Sequence, residues 1–457
     1  MEVRLFFEFL QVAIGNRESL SRELSDNEWQ DIFRLLKEHA LIGVGFSAVE
    51  RLHAKGVVCP PGLRMKWYAL VVQIERRNEQ LNGLCKKVTE QYEHDGLSTC
   101  ILKGQGNYIN YPDNLRKRRQ CGDIDIWCLP QKEGLDIAVH TGKDSVEYVK
   151  YHGVSAVIEY VKLQHRICGS NKKPRPIYHH VDAPAIEGVE VEAHFRTGYI
   201  HSPLRNWRMQ RWFAQHYEGC AANRTSYGFS MPTPSVNVIY QMTHLFSHYF
   251  QEGVGLRQIL DMYFTLTAWR ESVENGYGQQ SQGMWSEGLG TPVMSAQEVM
   301  AVLRSFGMGK FAGAVMYVLQ EVFFKNEECR MKNEECSEAD DMGEQQLFTH
   351  CKFKEEFIKL KQVSSIGQQL KEKCVCEPWM ICEPNEKEGR KLLEEIMKGG
   401  NFGQYDNRDA ALKNGGMVKH GVWKLKRVMR LVRSYPEEAL WEPVFRVWHL
   451  GWRKIHG

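Results

Sequence analysis

Two aspartates, Asp123 and Asp125, stand two residues apart within the apolar run of residues 122–127, and this restricts how the segment can fold. In a β-strand, residues i and i+2 lie on the same face, so the two carboxylates would point the same way. Such a pair is stable only if a cation lies between the charges or one carboxylate keeps its proton. Hard divalent cations such as Mg²⁺ bind carboxylates together with substrate phosphates. The pair therefore predicts part of a metal site for phosphate chemistry.

The residues before the pair favour the same interpretation. Residues 97–102 predict a short buried strand that ends at Lys103 and Gly104, and residues 107–111 predict a short helix. The basic run 116–119 follows and leads directly to the strand with the two aspartates. Glycine lets the backbone approach a phosphate closely, and consecutive N–H groups form an anion-binding nest. This order places backbone donors and cations on the same rim as the carboxylates.

A later segment, residues 189–195, alternates strictly between apolar and polar residues and predicts a second strand of this sheet. Glu190, Glu192 and His194 share one of its faces. These acidic side chains either meet water, as is common on a strand, or complete the carboxylate cluster of the aspartates. Together with residues 177–181, the segment predicts a hairpin whose loop covers residues 183–188.

Three regions are expected along the chain: a helical region (1–95), an α/β core (96–232) and a second helical region (233–457). Within the core, residues 137–150 and 154–163 are interpreted as helices. The second helical region opens with a helix over 236–250, which carries His244 and His248 at i and i+4, and another begins near residue 256. Residues 272–296 and the tandem repeat at 325–336 are expected to be connections without a site.

The composition is that of an ordinary globular protein, and the net charge of +3 is too small to imply nucleic-acid binding. We expect neither a secretory signal nor a transmembrane helix, because no run of about 18 apolar residues occurs. The 13 cysteines are scattered, which favours reduced thiols in a cytoplasmic protein. Cys374, Cys376 and Cys382 lack the paired spacing that is typical of zinc sites.

Several of these motifs together resemble the bacterial nucleotidyltransferase-like family of the polymerase-β superfamily, in a branch whose members are largely uncharacterised. The resemblance extends over about residues 20–270. It implies an α+β fold in which a small mixed β-sheet forms the nucleotidyltransferase core, with extensive helical regions on both sides. The motifs that carry it are Ile101-Leu102-Lys103-Gly104, Tyr111-Pro112, Arg119-x-x-x-Asp123-Ile124-Asp125, Val191-Glu192-Ala193-His194-Phe195, His244-x-x-x-His248, and Gly255-Leu256-Arg257-Gln258 with Asp261.

The resemblance also implies a reaction, in which a nucleoside monophosphate moves from an NTP to an acceptor hydroxyl and pyrophosphate leaves. Asp123, Asp125 and Glu192 would be the catalytic carboxylates and would bind two Mg²⁺ ions, although Glu190 on the same strand face is an alternative third ligand. The substrate-binding residues would be Lys103, Gly104, Arg119, His194, His244, Arg257 and Asp261. One departure concerns the first strand, after which many superfamily members have Gly-Ser where this chain has Lys103-Gly104.

The sequence leaves other possibilities open. The acceptor is a small molecule, a protein or a tRNA, and the oligomeric state is not indicated. A non-catalytic nucleotide-binding or regulatory module is one alternative function, and a toxin-like transferase that modifies tRNA or protein is another. Among the single residues, Arg257 and Asp261 could simply pair at i and i+4 on one helix.

Overall fold

Four helices precede the first strand in the computed structural model, which describes residues 2–140, 146–170, 174–274, 293–324 and 380–456. They are α1 (Val3–Ile14), α2 (Asp26–Glu38), α3 (Ile42–His53) and α4 (Pro61–His94). Ser25 caps α2 through a capping box with Glu28, close to the N-terminal signal expected at residues 26–29. Pro61 occupies the first turn of α4, where its missing N–H costs no hydrogen bond.

A four-stranded mixed sheet follows, as expected for an α+β core with helices on both sides. Its spatial order is β1-β2-β6-β5. Only the central pair, β2 and β6, is parallel, and the two outer pairs are antiparallel. The strands are β1 (Leu97–Ile101), β2 (Ile124–Pro130), β5 (His180–Ile186) and β6 (Val189–His194). Short helices α5 (Gln105–Tyr108) and α6 (Asp113–Arg116) connect β1 to β2.

The helix expected over residues 137–150 is wrong. Two antiparallel strands, β3 (Leu135–His140) and β4 (Val146–Tyr151), form a separate small sheet there. Leu135 and Ile137 are buried while Asp136 between them is exposed, which is the two-residue period of a strand. The helix expected over 154–163 is confirmed and longer, as α7 (Gly153–Ile167).

The hairpin expected before residue 195 is present, but its loop is much shorter than residues 183–188. Strand β5 continues to Ile186, and Glu187 and Gly188, both with positive φ, form the two-residue turn. The pairing is irregular between Ala183 and Ile186. Because β5 is an edge strand, Pro184 can lie within it without removing a hydrogen bond from a central pair.

Helices form most of the remainder, as expected for the region after residue 233. The repeat at 325–336, residues 275–292 of the expected loop, Cys374 and Cys376 lie outside the described residues. No helix in the described ranges is both long and apolar enough to span a bilayer. The helices are α8 (Pro203–Ala222), α9 (Pro234–Gln251), α10 (Leu256–Glu274), α11 (Ala296–Ser305), α12 (Gly309–Leu319), α13 (Glu386–Gly399), α14 (Ala410–Lys413), α15 (Met417–Leu431) and α16 (Pro436–His456).

The described residues form two large hydrophobic cores and one small cluster. The larger core joins the first three helices to α8–α13 and to α15. The smaller core lies between the main sheet, α7 and the second half of α4. Helix α4 contributes Trp67 to the larger core and Leu84 to the smaller one. The N-terminal and C-terminal helical regions therefore share one interior.

Candidate active site

The parallel pairing of β2 and β6 places Asp125 directly beside Glu192. Asp125 is fully buried on a central strand, and Glu192 is partly exposed on its neighbour. Glu190 is exposed at the start of β6 and pairs with none of the β2 residues. Of the two glutamates considered from the sequence, Glu192 is therefore the one that lies beside the aspartate.

Lys103 follows β1 and lies against both aspartates. Its Nζ is 3.1 Å from Oδ1 of Asp125 and 3.7 Å from Oδ2 of Asp123. Although burial alone would lower the pKa of Lys103, the carboxylates of Asp125, Asp123 and Glu192 raise it well above its usual range. Lys103 therefore carries a positive charge directly beside the two aspartates.

Gly104 turns the chain immediately after this lysine, with φ +62° and ψ −110°. This left-handed backbone conformation favours glycine. A Cβ atom at Gly104 would lie 3.3 Å from the carbonyl oxygen of Asp123. The turn and the segment that leads into β2 are therefore in close backbone approach, which holds Lys103 and Asp123 side by side.

His194 connects Asp125 and Glu192 on the two central strands. Its Nε2 is 3.0 Å from Oδ1 of Asp125 and 3.2 Å from Oε2 of Glu192. Burial alone would lower the pKa of His194, but these two partners raise it to about 9. Burial would likewise raise the pKa of Glu192, whereas His194 and His180 lower it to about 2. The imidazolium and the carboxylates stabilise one another.

A cavity of about 320 Å³ lies above this cluster, between the sheet and α9. Its walls combine charged groups from the core with aromatic and imidazole groups from the helical region. Its lining includes Lys103, Asp123, Glu192, His194, Tyr199, Tyr240, His244, His248 and Phe402. The cavity therefore has a polar, charged floor and a largely aromatic roof.

His244, expected near the substrate, lines this roof. Its ring lies 4.2 Å from that of His248 and 5.8 Å from that of Tyr240, measured between ring centroids. Burial, followed by the nearby positive charges of His248 and Lys103, lowers the pKa of His244 well below its usual range. The imidazole is therefore neutral, able to donate and to accept hydrogen bonds.

Arg119 and Asp261 lie outside the cavity lining and bind each other. Two 2.7 Å contacts join the guanidinium to the carboxylate, and the hydroxyl of Tyr111 donates to the same carboxylate at 2.7 Å. Asp261 thus pairs with Arg119 rather than with Arg257. The guanidinium of Arg257 donates to the carbonyl of Gln120 and lies 5.4 Å from the centroid of the Phe402 ring. Arg257 therefore supports the wall of the cavity at Phe402.

Three residues that lie in β5 or directly before it were not identified from the sequence. His179, His180 and Asp182 lie beside Glu192 and His194, and the rings of His179 and His180 are 4.5 Å apart. The signal was present in the sequence, because the polar residues of 180–182 and 192–194 flank one tight turn. A turn expected at residues 187–188 would have placed these two polar segments opposite each other.

The residues present fit a divalent cation. Ligand atoms of Asp125, Glu192 and His194 lie within 4.8 Å of one another. The buried Oδ2 of Asp125 makes no hydrogen bond within the described structure. A buried carboxylate oxygen without a partner is costly unless a cation satisfies it. The donor set, rich in carboxylate oxygens, suits a hard ion at Asp123 and Asp125.

The site thus combines a small mixed sheet, acids on neighbouring central strands and a half-buried lysine. The chain belongs to a family described as uncharacterised nucleotidyltransferases, whose family model matches residues 25–276. No curated protein and no solved structure matches the chain.

Proposed function

We propose that the protein is a Mg²⁺-dependent nucleotidyltransferase that moves a nucleoside monophosphate from an NTP to an acceptor hydroxyl. The observation that carries the proposal is the β2–β6 register, which aligns Asp125 with Glu192 beneath a cavity. Membership of a nucleotidyltransferase family supports the general reaction. The identity of the metal, the NTP and the acceptor is the part proposed here.

In this proposal Asp123, Asp125 and Glu192 hold the divalent cations, two of which are expected from the resemblance. Bound Mg²⁺ would stabilise charge on the triphosphate and lower the pKa of the acceptor hydroxyl. The ammonium of Lys103, already held at the cluster by Asp125, offsets the negative charge of the phosphates. The turn at Gly104 lets the backbone approach them closely.

The acceptor oxygen attacks the α-phosphorus, a new P–O bond forms, and the bond to the bridging oxygen of pyrophosphate breaks. The proton of the hydroxyl passes to a carboxylate of the cluster. We assign this role to Glu192, because it lies on a central strand, is partly exposed and lines the cavity. His194, bonded to Glu192 and Asp125, orients both acids. His244 and Tyr240 on the roof are placed to contact the nucleotide.

The experiment measures transfer of label from α-labelled NTPs, each tested in turn with Mg²⁺ and a cell extract. The native chain is compared with Asp125→Asn, and the matched control is Asp136→Asn, an exposed aspartate on β3. We expect the first variant to lose at least about 1,000-fold, because a metal contributes several kcal/mol of transition-state stabilisation. If the native chain neither binds any NTP nor labels any component, the proposal is wrong.

A second candidate function, nucleotide sensing without transfer, is favoured by one observation. Two protein cations, Lys103 and His194, already contact Asp125 and balance its charge without a metal. Tight NTP binding without turnover across an acceptor screen would support this alternative. Label found in tRNA or protein, together with growth arrest on expression that Asp125→Asn abolishes, would instead assign a toxin-like transferase.

A further inference from the structure

The face of the sheet that carries Glu192 presents histidines as well as acids. In the antiparallel β5–β6 pair, Asp182 lies opposite Glu192 and His180 lies opposite His194. His179 precedes β5, and its ligand nitrogen lies within 4.8 Å of those of His180 and His194. Glu192 therefore lies among imidazoles that come from β5, from β6 and from the residue before β5.

Two distances from Glu192 match the separation of neighbouring ligand atoms in a metal coordination sphere. Oε2 of Glu192 lies 3.2 Å from Nε2 of His194 and 3.3 Å from Nδ1 of His180. In a tetrahedral site with metal–ligand bonds of about 2.0–2.1 Å, neighbouring ligand atoms are about 3.3 Å apart. Ligand nitrogens of His179, His180 and His194 also lie within 4.8 Å of one another, so side-chain rotations alone would bring the imidazoles and Glu192 to one ion.

Two imidazole nitrogens at this place are available as ligands. The Nδ1 atoms of His179 and His180 are buried and make no hydrogen bond within the described structure. A buried polar atom without a partner is uncommon, and a bound ion is one of its explanations. Nδ1 of His180 lies within ion-pair distance of Glu192, but it makes no hydrogen bond to it.

The outer nitrogens of two of these histidines are oriented in the manner of metal ligands. Nδ1 of His194 donates to the carbonyl oxygen of Arg196 at 3.2 Å, which directs Nε2 toward Glu192. Nε2 of His180 lies 3.6 Å from Oδ1 of Asp182, which leaves Nδ1 directed toward Glu192. A carboxylate or carbonyl on the far nitrogen is the usual support for a metal-bound histidine.

We propose that His180, His194 and Glu192, with His179 as a further ligand, bind one divalent transition-metal ion of the Zn²⁺ or Co²⁺ class, which replaces the Nε2 proton of His194 and releases it to solvent. Imidazole nitrogen suits such ions, whereas Mg²⁺ prefers an all-oxygen shell. The proposal deepens the proposed function and rests on it only for the role of the ion. Of the two cation positions, the one at Glu192 takes the transition metal, and the one at Asp123 and Asp125 keeps Mg²⁺.

The test titrates the full-length, chelator-treated protein with Co²⁺ in the absence of nucleotide and follows the visible ligand-field absorption of bound cobalt. We expect saturable absorption that Zn²⁺ abolishes by competition and that excess Mg²⁺ leaves in place. His180→Gln is expected to weaken Co²⁺ binding by about 100-fold or more, since even outer-shell changes cost 10- to 100-fold. The matched control is His216→Gln on α8, whose ring stacks on Trp212.

A second measurement uses the native chain alone, so that the result does not depend on the folding of a variant. Zn²⁺ is expected to protect His179 and His180 from diethyl pyrocarbonate and to raise the unfolding midpoint. Absent cobalt absorption, or absorption unchanged by His180→Gln, would overturn the inference. Nucleotidyl transfer in Mg²⁺ without transition-metal binding would sink this inference and leave the proposed function standing. Cobalt binding without nucleotidyl transfer would support this inference and contradict the proposed function.

Discussion

Arg119 and Asp261, 142 positions apart, form a buried ion pair through two parallel 2.7 Å contacts. Only 2% of Arg119 is exposed to solvent. Burial alone would lower the pKa of Arg119, but the carboxylate of Asp261 raises it well above its usual range. The pair joins the loop before β2 to α10, and it therefore fixes the entry of the strand that carries Asp125.

Asp261→Asn is expected to lower the free energy of unfolding by about 3–5 kcal/mol, because it leaves a buried guanidinium without its counter-charge. Denaturant unfolding measures this change. The matched control is Glu274→Gln, which removes an exposed pair with Arg270 on the same helix and should change stability by less than about 1 kcal/mol. Equal effects of the two variants would contradict the structural role of the buried pair.

Lys103→Gln is expected to weaken NTP binding by about 10- to 100-fold, since a charge-assisted contact contributes about 1.5–3 kcal/mol. Equilibrium binding of a non-hydrolysable NTP in Mg²⁺ measures the change. The control is Lys87→Gln, whose exposed side chain pairs with Glu187 at the far hairpin turn. Unchanged affinity in Lys103→Gln would remove this lysine from the phosphate site.

Gly104→Ala is expected to cost about 1–3 kcal/mol of stability, because alanine does not readily adopt its backbone conformation. Transfer activity should fall as well, since the turn sets the position of Lys103. Thermal unfolding and the labelling assay measure the two effects. Gly122→Ala is the matched control, because a Cβ at Gly122 meets no atom within 4 Å. The outcome that contradicts this account is a Gly104→Ala protein as stable and as active as Gly122→Ala.

His39 predicts a pH dependence of stability at a position far from the sheet. It is fully buried, and burial lowers its pKa from 6.5 to about 4. Between these values the unfolded chain binds more protons than the folded one, so stability present above pH 6.5 is lost as the pH falls toward 4. The shift corresponds to about 3 kcal/mol.

His39→Gln is therefore expected to flatten the fall in unfolding free energy over this range, and His53→Gln, at an exposed position, is the matched control. Other histidines with lowered pKa contribute equally to both chains, so the difference between native and variant isolates His39. Parallel curves for native and His39→Gln would refute the assignment. The N–H of Leu256 donates to Nδ1 of His39, an interaction that glutamine can replace.

The sequence was sufficient for the features that depend on local pattern. The alternation of residues 189–195 predicted β6 and identified Glu192, and the segment before Gly104 predicted β1. Features that depend on contacts between distant parts of the chain could not be predicted from local pattern. The i, i+4 spacing suggested Arg257 as the partner of Asp261, whereas tertiary packing supplies Arg119. The helix expected over residues 137–150 was wrong, because the short two-residue period that begins at Leu135 marks a strand.

His180 and Asp182 of β5 illustrate the same limit within the site. His180 and Asp182 acquire significance only from the register that sets them opposite His194 and Glu192. That register depends on a two-residue turn at Glu187 and Gly188, which the longer loop expected from the sequence would have displaced. A shift by one residue would have turned these side chains to the opposite face of the sheet.

Helix α4 packs into both of the large hydrophobic cores. Its 34 residues pack Trp67 among the N-terminal helices and Leu84 beneath the sheet. A fragment that starts at residue 96 would keep every carboxylate of the site and yet expose the underside of β1 and β2. The chemistry and the scaffold that supports it are therefore inseparable in this chain, and the smallest active unit must include the helix that precedes the first strand.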